Sequence, residues 1–195
     1  MTEGELDPGV VWMTAFQGGD EDAFDQIVEH YSGPVFGLLR RLLGPAAQVE
    51  DLAQESFLRL YRARDRYEPR GKLSTYLYRI TYNLCLNYLR DSKRRREVAN
   101  PVTPEGEQVE LADRAAEAPW KAVDRDTWAL RVERALARLP ENQRAALVLQ
   151  HYDGLDLEQI GDVLGISAKA TKSLLHRART RLREILAPLR DAEHD

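Results

Sequence analysis

Apolar residues recur along this chain at three- and four-residue intervals, and no stretch sustains an alternation with a period of two. That spacing predicts helices nearly throughout and no sheet. A helix opens at Asp20 and runs to about His30. Ser32 and Pro34 predict a break and a restart toward Leu43, because proline is best placed in a first helical turn, where its missing N–H costs nothing. Gly44-Pro45 ends that helix, and a third runs from about Gln48 to Arg64. After the break Glu68-Pro69-Arg70-Gly71, Ser74 is placed to cap a fourth, long helix over Thr75–Arg96.

The pattern then changes. Residues 97–119 hold Pro101, Pro104, Gly106 and Pro119, six acids against the single base Arg114, and few large apolar side chains. Such a stretch reads as a linker. Helical spacing resumes with an element centred on Trp128 and Val132 that leads to Leu139-Pro140. A second follows from about Glu141 to Tyr152, and two more close the chain. The expected fold is all-α. Two small helical domains, an N-terminal bundle over 10–96 and a C-terminal helix-turn-helix over 122–188, are joined by a flexible acidic linker over 97–121.

The last two helices carry the helix-turn-helix signature. Asp156 with Gln159 forms a capping-box start, and Leu157, Ile160 and Leu164 share one face. Gly165-Ile166-Ser167 makes a short turn, with Ser167 as the cap of the second helix. There Thr171, Leu175, Ala178 and Leu182 point inward, while Lys169, Lys172, Ser173, His176 and Arg177 point largely the other way. A one-sided basic face at the start of such a helix suits the major groove, where these side chains reach base edges and phosphates.

The fourth helix is less ordinary. At 100° per residue, Leu73, Leu77, Ile80, Leu84 and Tyr88 form one apolar sector, and Tyr78, Tyr82, Cys85 and Leu89 form a second beside it. Both are expected in the core. The remaining sector lines up Tyr76, Arg79, Asn83, Asn87, Arg90 and Arg94, with no carboxylate among them. A ring that can stack on a base, amides that can donate and accept, and arginines for phosphates are what single-stranded nucleic acid requires. The loop Arg70-Gly71-Lys72-Leu73-Ser74 precedes this helix and could line a pocket for one extruded base.

Charge sharpens this picture. The 195-residue chain is mildly acidic, with a formal net charge of −4. Residues 1–39 nevertheless carry eight acids and no base, 70–96 carry eight bases against Asp91 alone, and 167–183 carry six bases and no acid. Two basic segments on an acidic chain predict two contacts with a polyanion. No apolar run approaches the roughly 18 residues that span a bilayer, and the acidic start lacks the positive charge of a signal peptide. A cytoplasmic protein is expected. The single Cys85 excludes an internal disulfide and a cysteine-built zinc site. His30, His151, His176 and His194 are scattered, without a metal-binding pair, a phosphate-binding glycine loop or a serine elbow. No catalytic residue, metal or cofactor is expected, and a hydrolase or metalloenzyme is disfavoured.

Four segments in order resemble the sigma-70 family of bacterial RNA polymerase sigma factors, in its extracytoplasmic function (ECF) group. DEDAFDQIVEHYSGPVFGLLRRLLG resembles the family's first conserved segment, and VEDLAQESFLRLYRARDRY its polymerase-binding helix. STYLYRITYNLCLNYLR is similar to its promoter-melting helix, and LARLPENQRAALVLQHYDGLDLEQIGDVLGISAKATKSLLHRARTRLREIL to its promoter-reading domain. The resemblance implies that Asp51, Gln54, Glu55 and Leu58 dock on the polymerase clamp. It implies that Arg70, Gly71, Lys72 and Ser74 capture a flipped base of the −10 element, and that Tyr76, Arg79, Asn83, Asn87, Arg90 and Arg94 hold the unpaired strand. Lys169, Lys172, Ser173, His176 and Arg177 would read the −35 element as duplex. The implied partners are core RNA polymerase, promoter DNA in both duplex and single-stranded form, and, as in many members, an anti-sigma factor. In the family the acidic linker threads the polymerase path later taken by RNA. Some positions depart from the family pattern. Tyr76 stands where tryptophan is common, Lys72 where an aromatic is frequent, and Ala170, Thr171 and Leu174 where Thr, Val and Arg are usual, Leu174 removing an expected DNA-contacting charge.

Two other readings compete. A free-standing helix-turn-helix regulator would bind duplex DNA without polymerase and would leave the face of Asp51, Gln54 and Glu55 without a role. A purely interacting helical protein would not need the two basic sectors.

Overall fold

The structure, a computed structural model, describes residues 7–44, 48–99 and 128–191. Among them are eight α-helices and no strand. Helix α1 spans Pro8–Gln17, α2 Glu21–Leu43, α3 Val49–Arg62 and α4 Leu73–Ala99, with a 3₁₀ turn at Arg64–Arg66. Then follow α5 Trp128–Ala137, α6 Glu141–His151, α7 Leu157–Leu164 and α8 Ala168–Asp191. The predicted linker begins inside α4, which runs to Ala99; the rest of it, 100–121, lies outside the described residues.

Three departures from the sequence reading have clear causes. The first is α1, which was not anticipated. Asp7-Pro8 starts it with proline at the first position, and Met13 and Phe16 are fully buried three residues apart. The second is α2, which continues through Pro34 without a break. Proline removes one backbone bond and crowds the carbonyl four residues earlier. Here Gly33 and Pro34 face water, so the freed carbonyl can be hydrated, and the Ser32 hydroxyl donates to the Val28 carbonyl in the same turn. The buried stripe of Ile27, Tyr31, Val35, Leu38 and Leu42 outweighs the local preference. The third is the start of α4. Ser74 lies inside the first turn, and the N–H of Leu73 donates 2.8 Å to the carboxylate of Asp7. The cap comes from 66 residues away, where no local pattern could show it.

The first four helices close around one core. Phe16 sits at its centre, 4.9 Å from the ring of Phe24 and 5.0 Å from that of Tyr61. The Arg64 guanidinium lies 4.4 Å over the Phe16 ring and pairs with Glu21 at 2.8 Å, which ties α1, α2 and the 3₁₀ turn after α3 together. In the second unit the Asp156–Gln159 capping box forms as predicted, and Gly165 ends α7 with φ 69°, a conformation that favours glycine. Ser167 accepts from the Ala170 N–H at 3.3 Å and caps α8. Gly161 is packed closely against the turn and the start of α8. A Cβ there would lie 2.6 Å from the Ile166 carbonyl oxygen.

The two units also pack on each other, α7 and the turn before it against α4, and α6 against the end of α2. The second apolar sector of α4 is therefore buried by the other unit. Tyr78, Tyr82 and Cys85 are all under one-tenth exposed. Tyr78 faces the carboxyl of Asp153 in the α6–α7 turn. Cys85 lies in a crevice with Leu42, Tyr82, Leu86, Leu89, Glu141 and Arg144. Arg144 Nη1 donates 2.8 Å to the carbonyl of Leu42, one of the orphan acceptors at the end of α2. The Arg41 guanidinium stacks 3.8 Å over the ring of Tyr152.

Candidate nucleic-acid interface

Helix α4 has three faces, two of them covered. Leu73 and Leu77 are fully buried in the first unit, and Tyr78, Tyr82 and Cys85 are covered by the second. The third face remains open: Arg79, Asn83, Asn87, Arg90 and Arg94 are exposed and Tyr76 is half-buried. Tyr76 is held edge-on by the Tyr67 ring, with centroids 5.4 Å apart and planes at 76°. Arg79 lies 5.2 Å from the Tyr76 centroid. Tyr76 is thus an oriented ring next to a cation, at one end of a polar line that extends along the helix. Burial pushes the Tyr67 hydroxyl up to about 12, with the Asp7 carboxylate adding to the effect.

Before this helix, Arg70, Gly71 and Lys72 are exposed, and Ser74 is half-buried. Arg70 pairs with Glu68, two residues away. Both side chains are open to water, so a phosphate could displace the carboxylate at little cost. The loop backbone is closed by the Arg70 N–H donating 2.9 Å to the Glu68 carbonyl.

On α3, Val49, Ala53, Phe57 and Leu60 are buried, which turns Asp51, Gln54, Glu55 and Leu58 outward. Leu58 is 48% exposed and adds an apolar side chain to this polar row. Glu55 accepts from Arg59 Nε at 2.8 Å, and that bond holds its carboxyl below the usual range. All four residues share one surface.

On α8, Lys169, Lys172, Ser173, His176 and Arg177 are exposed, while Thr171, Leu175 and Ala178 are buried. An open groove of about 620 Å³ continues the basic face past His176 and Arg177, lined also by Gln143, Thr180, Arg181 and Glu184. Arg181 belongs to the basic run over 167–183 read from the sequence. One expectation is corrected. Leu174 does not stand where a DNA-contacting charge would reach outward. It is 4% exposed and packs inward beside Leu175. Thr171 is likewise inward, its hydroxyl donating 3.1 Å to the Ser167 carbonyl. Of the three unusual positions only Ala170 faces outward.

Residues 27–95 match the family model described as Sigma-70 region 2, and residues 129–182 match Sigma-70, region 4. The RNA polymerase sigma-H factor of Pseudomonas aeruginosa is 34% identical over 176 residues, which cover 89% of this chain and 91% of that protein. The chain belongs to the sigma-70 family. Its ECF character follows from relatives such as the ECF RNA polymerase sigma factor SigW of Bacillus subtilis, 34% identical over 88% of this chain and 92% of that one. The fold is shared with CnrH, solved in complex with the cytosolic domain of CnrY, at a TM-score of 0.68 and 23% identity over 93% of this chain and 99% of that one. The open face of α4 lies within the region 2 match, and the exposed face of α8 lies within the region 4 match. Helix α1 precedes both.

Proposed function

We propose that this chain acts as an ECF sigma factor through three separate surfaces. The α3 row of Asp51, Gln54, Glu55 and Leu58 docks on core RNA polymerase. The loop Arg70–Ser74 and the α4 line from Tyr76 to Arg94 hold unpaired −10 DNA. The α8 face of Lys169, Lys172, Ser173, His176 and Arg177 reads −35 duplex DNA. The units that carry these surfaces span 10–96 and 122–188, and 97–121 joins them. The protein works in the cytoplasm and contributes recognition and strand opening, while the chemistry of synthesis belongs to polymerase.

The observation that carries this reading is the third face of α4. A helix buried on two sides keeps its remaining face free, and that face offers an oriented ring, two amides and three guanidiniums without a carboxylate. Such a face gains little from duplex DNA, whose bases are stacked away, and much from a strand whose bases are unpaired. Opening is then driven by preferential binding to the melted form. The relatives' names support the polymerase as partner. CnrH, which shares the fold, was solved with the cytosolic domain of CnrY, and the co-crystal of RpoE with the anti-sigma factor NepR from Bartonella quintana supports an anti-sigma protein as a further partner.

The test is binding to sigma-free bacterial core polymerase, with the chain and with the variant carrying Asp51→Ala, Gln54→Ala and Glu55→Ala. Tight binding that the variant loses is the expected result. No binding to core, together with specific duplex binding, would leave the free-standing regulator.

A further inference from the structure

Helix α1 lies ahead of the stretch matched by region 2, yet it holds both ends of the loop that leads into α4. At the near end, Gln17 Nε2 donates to two carbonyls, Arg64 at 2.8 Å and Tyr67 at 2.9 Å. At the far end, the Asp7 carboxylate accepts from the N–H of Leu73 at 2.8 Å. Between these points Glu68, Pro69, Arg70, Gly71 and Lys72 are all exposed. Their position is therefore set by the two anchors and by the bonds between Arg70 and Glu68, one along the backbone and one between their exposed side chains. Gly9 fixes how closely α1 approaches. A Cβ on it would clash with the Tyr31 hydroxyl and lie 2.9 Å from Leu73 Cβ. The Gln17 anchor also holds the backbone of Tyr67, whose ring orients Tyr76.

We infer that α1 is a positioning element for base capture, with Gln17 and Asp7 as positioning residues that set the span of the Glu68–Lys72 loop and the pose of the Tyr67–Tyr76 pair. This rests on the −10 assignment above. A pocket that selects one base must hold its groups to within a fraction of an ångström, and an exposed loop can do so only if rigid elements hold its ends. Asp7 has a second effect. It places a negative charge at the N-terminus of α4, the helix end that would otherwise attract a phosphate. Occupying that end removes a sequence-independent contact and leaves discrimination to the loop and the ring.

The experiment uses the full chain assembled with core polymerase. The probe is a pool of single-stranded oligonucleotides with a randomised ten-nucleotide window, and the bound fraction is sequenced. The wild-type protein should show a strong base preference at one position. Asp7→Ala removes one anchoring bond and should weaken that preference roughly tenfold; Gln17→Leu removes two and should weaken it at least as much, with core affinity unchanged in both. Asp7→Asn keeps an acceptor for Leu73 and removes the charge, so it should retain the preference while raising affinity for all sequences. Unchanged preference in both Gln17→Leu and Asp7→Ala would overturn the inference. So would a parallel loss of core binding and base preference that Asp7→Asn fails to rescue, since that is the result of a merely structural helix. A wild-type protein that shows no preference at any position would instead overturn the −10 assignment itself.

Discussion

Replacing Arg144 by Met tests the docking of the two units directly. Methionine keeps most of the apolar stem and removes the guanidinium that bonds the Leu42 carbonyl at 2.8 Å. A hydrogen bond from a charged donor contributes about 1.5–3 kcal/mol. Against this stands the cost of burying the cation: desolvation lowers the affinity of Arg144 for its proton, and its Nε has no hydrogen-bond partner among the described residues. The net contribution is therefore placed at or below the low end of that range, at about 1–2 kcal/mol, which changes a docking equilibrium roughly 5- to 30-fold. Cys85 reads the change. It is the chain's one cysteine, 1% exposed, and beside Arg144 in the crevice between the units. Burial pushes its thiol up to about 12, so it is unreactive while docked. In the separated state neither protein keeps Arg144 near the thiol, so both react from equivalent environments at a given pH. Labelling with a neutral maleimide should then be 5- to 30-fold faster in Arg144→Met, at temperatures well below melting. A rate within twofold of wild type would refute the role given to Arg144. Wild-type labelling as fast as a free thiol would refute docking over Cys85 in solution.

Tyr76→Ala should weaken open-complex formation by the loss of one stacking platform, about 1–3 kcal/mol or roughly 5- to 150-fold, and leave the initial duplex complex nearly unchanged. Permanganate footprinting beside duplex binding separates the two, and an equal loss in both would sink the idea. Asp153 adds a pH dependence: burial raises its carboxyl from 3.8 to about 6, against the Tyr78 hydroxyl and Arg41, which lower it. A carboxyl raised in the docked state binds more protons there, so docking is strongest below the ordinary value near 4 and weakens as pH rises toward 6. Two pK units are a ceiling of about 3 kcal/mol, reduced to about 1–2 by partial exposure. Asp153→Asn should therefore label more slowly at Cys85 than wild type at pH 7, with the ratio approaching one near pH 4; a ratio independent of pH would refute this. Gly161→Ala forces a Cβ against the Ile166 carbonyl and should cost about 1–3 kcal/mol in the helix-turn-helix, measured as a lower Tm and weaker duplex binding, whereas an unchanged Tm would show that the two helices can move apart freely.

Helix type was legible because period, caps and breakers are local signals. The Asp156–Gln159 box, the Gly165 turn and the inward row of Thr171, Leu175 and Ala178 all follow from residues a few positions apart. What escaped was long-range. The cap on α4 comes from Asp7, and the burial of Tyr78, Tyr82 and Cys85 comes from the second unit. An apolar sector shows that a face will be covered and is silent on what covers it. Pro34 was misread for a related reason: the preference of proline is local, and the buried stripe of α2 that overrides it extends over several turns. On the candidate interface, the outward and inward faces of α8 were legible except at Leu174, which lies three residues after buried Thr171 and four before buried Ala178 and so shares their inward face.

The docking of the two units also sets a limit of reach. A compact body of this size has a radius of gyration near 15 Å and so measures roughly 40 Å across. Elements centred at −10 and −35 lie about 25 base pairs apart, which is roughly 85 Å of B-form duplex. The docked protein can touch either element and cannot touch both. The chain between Ala99 and Trp128 has 28 residues, whose fully extended length is about 95 Å. The two units themselves span part of the separation, so that length is ample for what is left. Simultaneous contact with both elements therefore requires release of the α4–α7 and α2–α6 contacts, so that whatever holds the two units together also holds the protein to one element at a time.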